Sequence, residues 1–381
     1  MQLTVRALLA LLAGCALLAG PAHAGVLADD RADVLYHLYD GGGVEIDGPS
    51  VLVRKKFQEK YAVSANYYLD LVTSASIDVV TTASPYTEER KEYSLGAEYL
   101  RGKTIYTAGF TNSKENDYES DTASVSVSQD MFGDLTTLQL SHARGWDKVS
   151  RRGDASFSDR VDRRVYGVDL TQVATKSLIL GLSWETVTEE GFLNNPYRSV
   201  RYVDPDSASG YAYQAEIYPR TRTGNAVAVR GRHFLPWRAA AQLEYRWYSD
   251  SWGILGHTVQ LSYTQPWGPR WVFDAHYRWY TQDAADFYAD LFPREDFQNF
   301  LARDKELATM TSHTIGVGAS YAFDMPGVDF LQKTTVNFRF DHILFEYDDF
   351  RDLRVTGGQP GSEPLYDFGA NVVQLFFSGW F

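Results

Sequence analysis

The chain reads as an all-β protein, a transmembrane antiparallel up-and-down β-barrel of about 16 strands that follows a cleaved signal peptide. Three observations predict this. An N-terminal secretory signal is followed by no apolar run long enough for a spanning helix. Apolar and polar residues alternate with period two over segments of bilayer-crossing length, and the connections between those segments alternate short and long.

Arg6 supplies the positive start of the signal, residues 7–20 are apolar, and Pro21-Ala22-His23-Ala24 ends in the small-x-small pattern read by signal peptidase. Residues 1–24 are therefore read as signal peptide and 25–381 as one outer-membrane barrel domain. The single cysteine, Cys15, lies inside the signal. Leu12-Ala13-Gly14-Cys15 also resembles a lipobox, but cleavage there would leave residues 16–20, all apolar or glycine, at the new end and ignore a good site at Ala24. The mature chain then has no thiol, which excludes disulfides, thiolate metal sites and cysteine nucleophiles. After residue 24 the apolar runs stay far below the roughly 18 residues of a spanning helix.

The strands follow in order. Tyr61, Val63, Ala65, Tyr67, Leu69 and Leu71 alternate with Ala62, Ser64, Asn66, Tyr68 and Asp70. Val259, Leu261 and Tyr263 alternate with Thr258, Gln260, Ser262 and Thr264, and Trp271, Phe273, Ala275, Tyr277 and Trp279 with Val272, Asp274, His276, Arg278 and Tyr280. Such segments run about 10 to 14 residues, enough to cross a bilayer at a tilt and longer than ordinary strands. In lipid every backbone group must be paired, so crossing strands must close into a barrel. Short links fall near residues 58–59, 101–102, 132–133, 175–176, 235–236, 267–268 and 326–327. Longer ones span 73–89, 112–118, 146–159, 189–222, 249–256, 282–311 and 347–365. These hairpins and the C-terminal segment need one more strand for an even count, and residues 33–39 before Gly41-Gly42-Gly43 supply it. The alternative is 14 strands with that first segment in the lumen. The last strand places Val373, Leu375, Phe377 and Phe381 on one face, resembling the C-terminal signal read by the outer-membrane barrel assembly machinery, with Gly379 interrupting it.

YHLYDGGGVEIDGPSVLVRKKF (36–57), SASIDVVTTASPYTEER (74–90) and DLTTLQLSHARGWD (134–147) resemble a proteobacterial outer-membrane β-barrel family classed as a domain of unknown function. The resemblance brings no catalytic or ligand residues. It implies a gene context with a small lipoprotein, a thioredoxin-like protein and a flavin transferase, and hence envelope redox or maturation work.

With 49 acidic against 36 basic residues and no basic stripe, nucleic acid is not an expected partner. The expected surroundings are outer-membrane lipid and lipopolysaccharide of a Gram-negative cell, with a small lipoprotein as a candidate partner. No cofactor is expected. Alternation sends Asn66, Asp70, Glu92, Glu98, Arg163, Asp169, Glu185, Arg230, Arg232, Glu244, Arg246, Asp274, His276, Arg278, Arg339 and Asp341 inward. Such a charge ladder either sets a transverse field that filters small polar solutes or forms a structural cross-strand network. On a strand Asp274, His276 and Arg278 share a face, so a carboxylate could orient the imidazole, but no Gly-x-Ser-x-Gly elbow nominates a nucleophile. His142, beside Arg144 and Trp146, fits a membrane-interface residue. The acidic groups Asp204 and Asp206; Asp283, Asp286 and Asp290; Glu295 and Asp296; and Asp348, Asp349 and Asp352 lack calcium-loop spacing and read as solvated loop charge. Residues 282–311 read as a partly helical loop that folds into the barrel mouth through Phe287, Leu291, Phe297, Phe300 and Leu301. Tyr197, Tyr202, Tyr211, Tyr213 and Tyr218 make 189–222 a second lid. The functional expectation is a non-enzymatic porin-like channel or transport component. A partner-gated barrel of a multi-protein envelope system is the alternative, and a barrel enzyme a third reading.

Overall fold

The computed structural model describes residues 25–74 and 86–381. The signal-peptide and lipobox readings, and most of the first long connection, fall outside these residues. The described strands are β1 (Arg31–Gly41), β2 (Val44–Phe57), β3 (Tyr61–Ser74), β4 (Tyr86–Arg101), β5 (Thr104–Lys114) and β6 (Tyr118–Met131). Then come β7 (Thr136–Arg151), β8 (Asp154–Val173), β9 (Leu178–Gly191), β10 (Ser199–Val203), β11 (Tyr211–Ala215) and β12 (Thr221–Phe234). The chain ends with β13 (Ala240–Asp250), β14 (Leu255–Trp267), β15 (Trp271–Gln282), β16 (Met310–Phe323), β17 (Lys333–Arg351) and β18 (Leu365–Trp380).

All but β10 and β11 form one closed antiparallel barrel of sixteen strands, each paired with its neighbours in sequence. It is sealed where β1 pairs β18, from Arg31 opposite Trp380 to Gly41 opposite Ala370. The first segment is therefore a wall strand, and the fourteen-strand alternative is excluded. The reason is local: Gly42 and Gly43 both take positive φ, at 59° and 77°, which a two-residue turn of primed type demands, so β1 folds straight back along β2.

Side-chain parity divides the wall. Val34, Tyr36, Leu95, Val125, Leu140, Leu182, Val229, Leu243, Leu261 and Ile315 face outward on successive strands as one large exposed apolar surface, with Leu95 64%, Leu243 56% and Ile315 62% exposed. Phe57, Tyr61, Phe132, Trp267 and Trp271 lie at strand ends and turns on one rim, a belt expected at a membrane interface, and Trp146, Trp184, Tyr245 and Tyr277 are outward and exposed farther along their strands. His142 is on this outer face, stacked on Tyr166 at 4.8 Å. Val373, Leu375 and Phe377 are on it too, while Phe381 lies just past β18 with Lys55 Nζ 4.9 Å over its ring.

Three connections differ from expectation. The turn between β7 and β8 is only residues 152–153, and that between β5 and β6 only 115–117. The strands run on beyond the lipid, where both faces meet water, so their polar residues looked like loop. The connection 283–309 contains a single short helical turn, Lys305–Leu307, rather than a helix.

Candidate functional site: the lumen wall and its inward-folded loops

Every member of the expected charge ladder occupies an inward position, but the charges are matched mainly along the wall. Arg230 Nε donates to Glu244 Oε2 at 2.6 Å across β12 and β13, and Arg246 Nη2 to Glu185 Oε1 at 3.4 Å, reaching over β12. Arg163 Nε donates to Glu189 Oε1 at 2.9 Å and lies 4.0 Å from Asp147. Glu98 accepts from Arg54, and both Arg232 guanidinium contacts, at 3.0 and 2.7 Å, go to Gln242 Oε1. Arg278 lies over the Tyr280 ring at 5.6 Å. Asp169 lines the wall beside Arg230, Gly181 and Ser183.

Asp70 is almost fully buried, and its partner is His37, a residue that sequence reading passed over. His37 Nε2 lies 2.8 Å from Asp70 Oδ1 and 3.0 Å from Tyr68 Oη, with the imidazole stacked on Tyr68 at 4.9 Å. Arg90, also missed, lies 3.6 Å from Asp70 Oδ2 and donates to Glu92 Oε2 at 2.6 Å. The same parity that selected Asp70 places His37 and Arg90 inward, so the signal was present in β1 and β4.

The Asp274-x-His276-x-Arg278 face exists, but the carboxylate beside the imidazole belongs to another strand. His276 Nε2 lies 3.4 Å from Asp341 Oδ1, and His276 Nδ1 3.3 Å from Arg339 Nη2. A guanidinium can only donate, so Nδ1 is the acceptor and Nε2 carries the proton toward Asp341. The reach across β16 depends on two glycines. A Cβ on Gly316 would stand 2.0 Å from His276 Cε1 and 2.1 Å from Asp341 Oδ1, and one on Gly318 would stand 2.2 Å from Asp274 Oδ2. The strand between them has no side chains there, so His276 and Asp274 lean over it. Ser262 is opposite His276 in register, and its Oγ accepts from Gln260 Nε2 at 3.3 Å.

Above this wall, three connections fold together inside the mouth. Inner-wall Tyr118, Val149 and Val161 pack with Leu193, Tyr218, Phe287 and Leu307 from the connections 192–220 and 283–309. Inner-wall Phe345, Tyr347, Tyr366 and Ala370 pack with Ala308, close to Tyr288. Burying each such aromatic contributes on the order of 1.5 to 3 kcal/mol. The two connections also pair by backbone: Phe292 N donates to Arg201 O and Val203 N to Phe292 O, both at 2.9 Å, and Leu301 N to Ile217 O at 2.7 Å.

A fully buried guanidinium locks them. Arg201 Nε donates to Asp290 O at 3.0 Å, its Nη2 reaches Asp290 Oδ2, and Nη1 and Nη2 grip Glu363 at 2.6 and 3.0 Å. Arg303 Nη2 donates to Asp290 Oδ1 at 2.8 Å and to Arg351 O at 2.9 Å. Nearby, Glu216 is buried, accepts from Arg303 N and Tyr218 Oη at 2.8 Å each, and has its pKa pushed up to about 7 by loss of water, with Asp304 adding to the effect and Arg198 opposing it. Residues 282–311 do enter the mouth, as expected. Of the acidic groups read as solvated, Asp290 is instead the hub of this lock. The tyrosine-rich connection contributes Tyr218 to the core, and Arg201 lies over the Tyr211 ring at 5.5 Å.

At the rim, Glu88, Glu115 and the buried Asp117 bring one carboxylate oxygen each within 4.8 Å of one another, a spacing that suits a hard cation with oxygen ligands.

A closed barrel with an apolar outside, a charged inside and loops turned into its mouth defines an outer-membrane type of transmembrane β-barrel. The family model described as "Protein of unknown function (DUF3570)" matches residues 76–169 and 158–344, and the chain belongs to that family. Among curated proteins, none matches the chain. Among solved structures, the chain is similar to a bacterial polysaccharide outer membrane secretin (8% identity, 93% of this chain and all of that one, TM-score 0.49). It is also similar to a Pseudomonas aeruginosa FadL homologue (8%, 96% and 94%, TM-score 0.47) and to the outer-membrane OmpT of Vibrio cholerae (9%, 93% and 100%, TM-score 0.45).

Proposed function

We propose that this barrel sits in the outer membrane of a Gram-negative cell as a gated, porin-like channel or transport component for small polar solutes. The reading is carried by one arrangement: a lumen wall of matched acids and bases lying beneath loops that are folded into the mouth and fixed by Arg201. A wall whose charges are mostly paired holds neither sign of solute tightly, so a small zwitterion or sugar finds hydrogen-bond partners along it without a deep trap. The loop lock makes entry the selective step, because its ion pairs are desolvated and must open before anything large can pass.

The experiment is single-channel conductance of the purified protein in a planar bilayer. Small, flickering conductance with weak ion selectivity is expected, rising when Arg201 is replaced. Silence at every voltage and salt concentration, with the lock intact and with it broken, would overturn the channel reading in favour of a lumen operated by a partner such as a small lipoprotein.

A further inference from the structure

The segment ahead of β1 does not leave the barrel. At one end Asp30 accepts from Lys55 Nζ and from Lys56 N, both at 2.5 Å, and its carbonyl accepts from Phe381 N at 3.3 Å. At the other end Gly25 N donates to Asp130 Oδ2, beside the turn that joins β4 to β5, and Leu27 between them is buried at 2% exposure. Residues 25–30 thus run along the wall at the end that carries both termini of the barrel sheet.

Asp130 is the unusual member of this arrangement. It is only 4% exposed, on the inner face of β6, with Oδ1 accepting from Thr137 Oγ1 at 2.6 Å. Among the described residues it has no ion-pair partner, and Lys103, whose backbone lies beside Gly25, has its ammonium engaged by Asp134 at 2.5 Å. A buried carboxylate without a cation is costly, and the missing charge is usually supplied from somewhere. The signal-peptide motif independently predicts cleavage at the bond before Gly25. Water adds across that bond: Ala24 leaves with a new carboxylate, and the Gly25 nitrogen becomes an ammonium carrying one positive charge and three donors, already seated on Asp130.

We propose that maturation of this protein creates the counter-ion of Asp130, and that the Gly25 ammonium–Asp130 ion pair pins residues 25–30 along the inner wall at the periplasmic mouth. The amide of an uncut chain can donate only one hydrogen bond there and brings no charge.

The test uses the full mature barrel. N-terminal sequencing of protein purified from membranes should begin at Gly25. Protein refolded in three forms, with a free Gly25 amine, with that amine acetylated, and with one alanine added before it, is then probed by hydrogen exchange of the amides within residues 25–30. Blocking or displacing the amine should speed exchange of those amides by about tenfold or more. In an Asp130→Asn background the blocked and free forms should exchange alike. If Asp130→Asn does not fold, Thr137→Val, which loosens the carboxylate without removing it, serves as the second background and should lessen the difference. A native terminus other than Gly25, or an unchanged effect of blocking in the Asp130→Asn barrel, would overturn the proposal.

Discussion

Replacing Arg201 is the most direct perturbation of the mouth. The side chain has no exposure and ties three connections together through Asp290 and Glu363. In Arg201→Met the apolar volume is kept, Asp290 retains Arg303, and Glu363 is left without its cation. Breaking one side of a buried ion pair costs about 3 to 5 kcal/mol. Arg201's own partners, Asp290 and Glu363, lie outside the barrel strands, so the loss falls on the local equilibrium between docked and released loops. That equilibrium should shift toward release by roughly two to three and a half powers of ten, at about 1.4 kcal/mol per tenfold. Two assays read it: protease cleavage within residues 192–220 and 283–309, which should become rapid while the barrel remains resistant, and bilayer conductance, which should rise. If the loops of Arg201→Met are cut no faster than those of the wild type, the assignment of Arg201 as the lock is wrong.

Three further outcomes are expected. Glu216 binds its proton more tightly when docked than when released, so docking weakens as pH rises from its ordinary carboxyl range through about 7, and Glu216→Gln should flatten the pH dependence of loop protection measured by hydrogen exchange. Gly316→Val drives a side chain into His276 and Asp341. It should leave the barrel heat-modifiable on gels but alter ion selectivity, and unchanged selectivity would remove these residues from the conduction path. Leu243→Arg on the outer wall should cost up to about 2 to 4 kcal/mol in urea titrations of vesicle-inserted protein, while a neutral effect would mean that this face does not meet lipid.

The wall was legible in the sequence because a strand between oil and water must alternate. Asp274, His276, Arg339 and Asp341 were all placed inward by that rule alone. Which of them touch was not legible, because it depends on strand order and on two glycines of β16, and neither leaves a trace in the local pattern. Where water lies on both sides the rule also falls silent, so the ends of β7 and β8 were read as loop. The connection 283–309 misled in another way. Phe287 and Leu301 are buried in different clusters, whereas Phe297 and Phe300 are exposed, so its apolar residues never formed one helical face. His37 was missed although β1 was expected, since a lone histidine on a short strand carried no partner in the sequence.

The seam between β1 and β18 also sets the order of events in folding. Arg31 meets Trp380, so the ladder that completes the cylinder joins residues separated by nearly the whole chain. Apart from β9 and β12, which are separated by the connection 192–220, every other pair in the wall links strands that are neighbours in sequence, and those hairpins can form early and locally. Until the last strand arrives, β1 and the growing end each present an unpaired edge that hydrocarbon cannot satisfy. The closing ladder therefore carries the largest loop-closure cost of any pair in the wall.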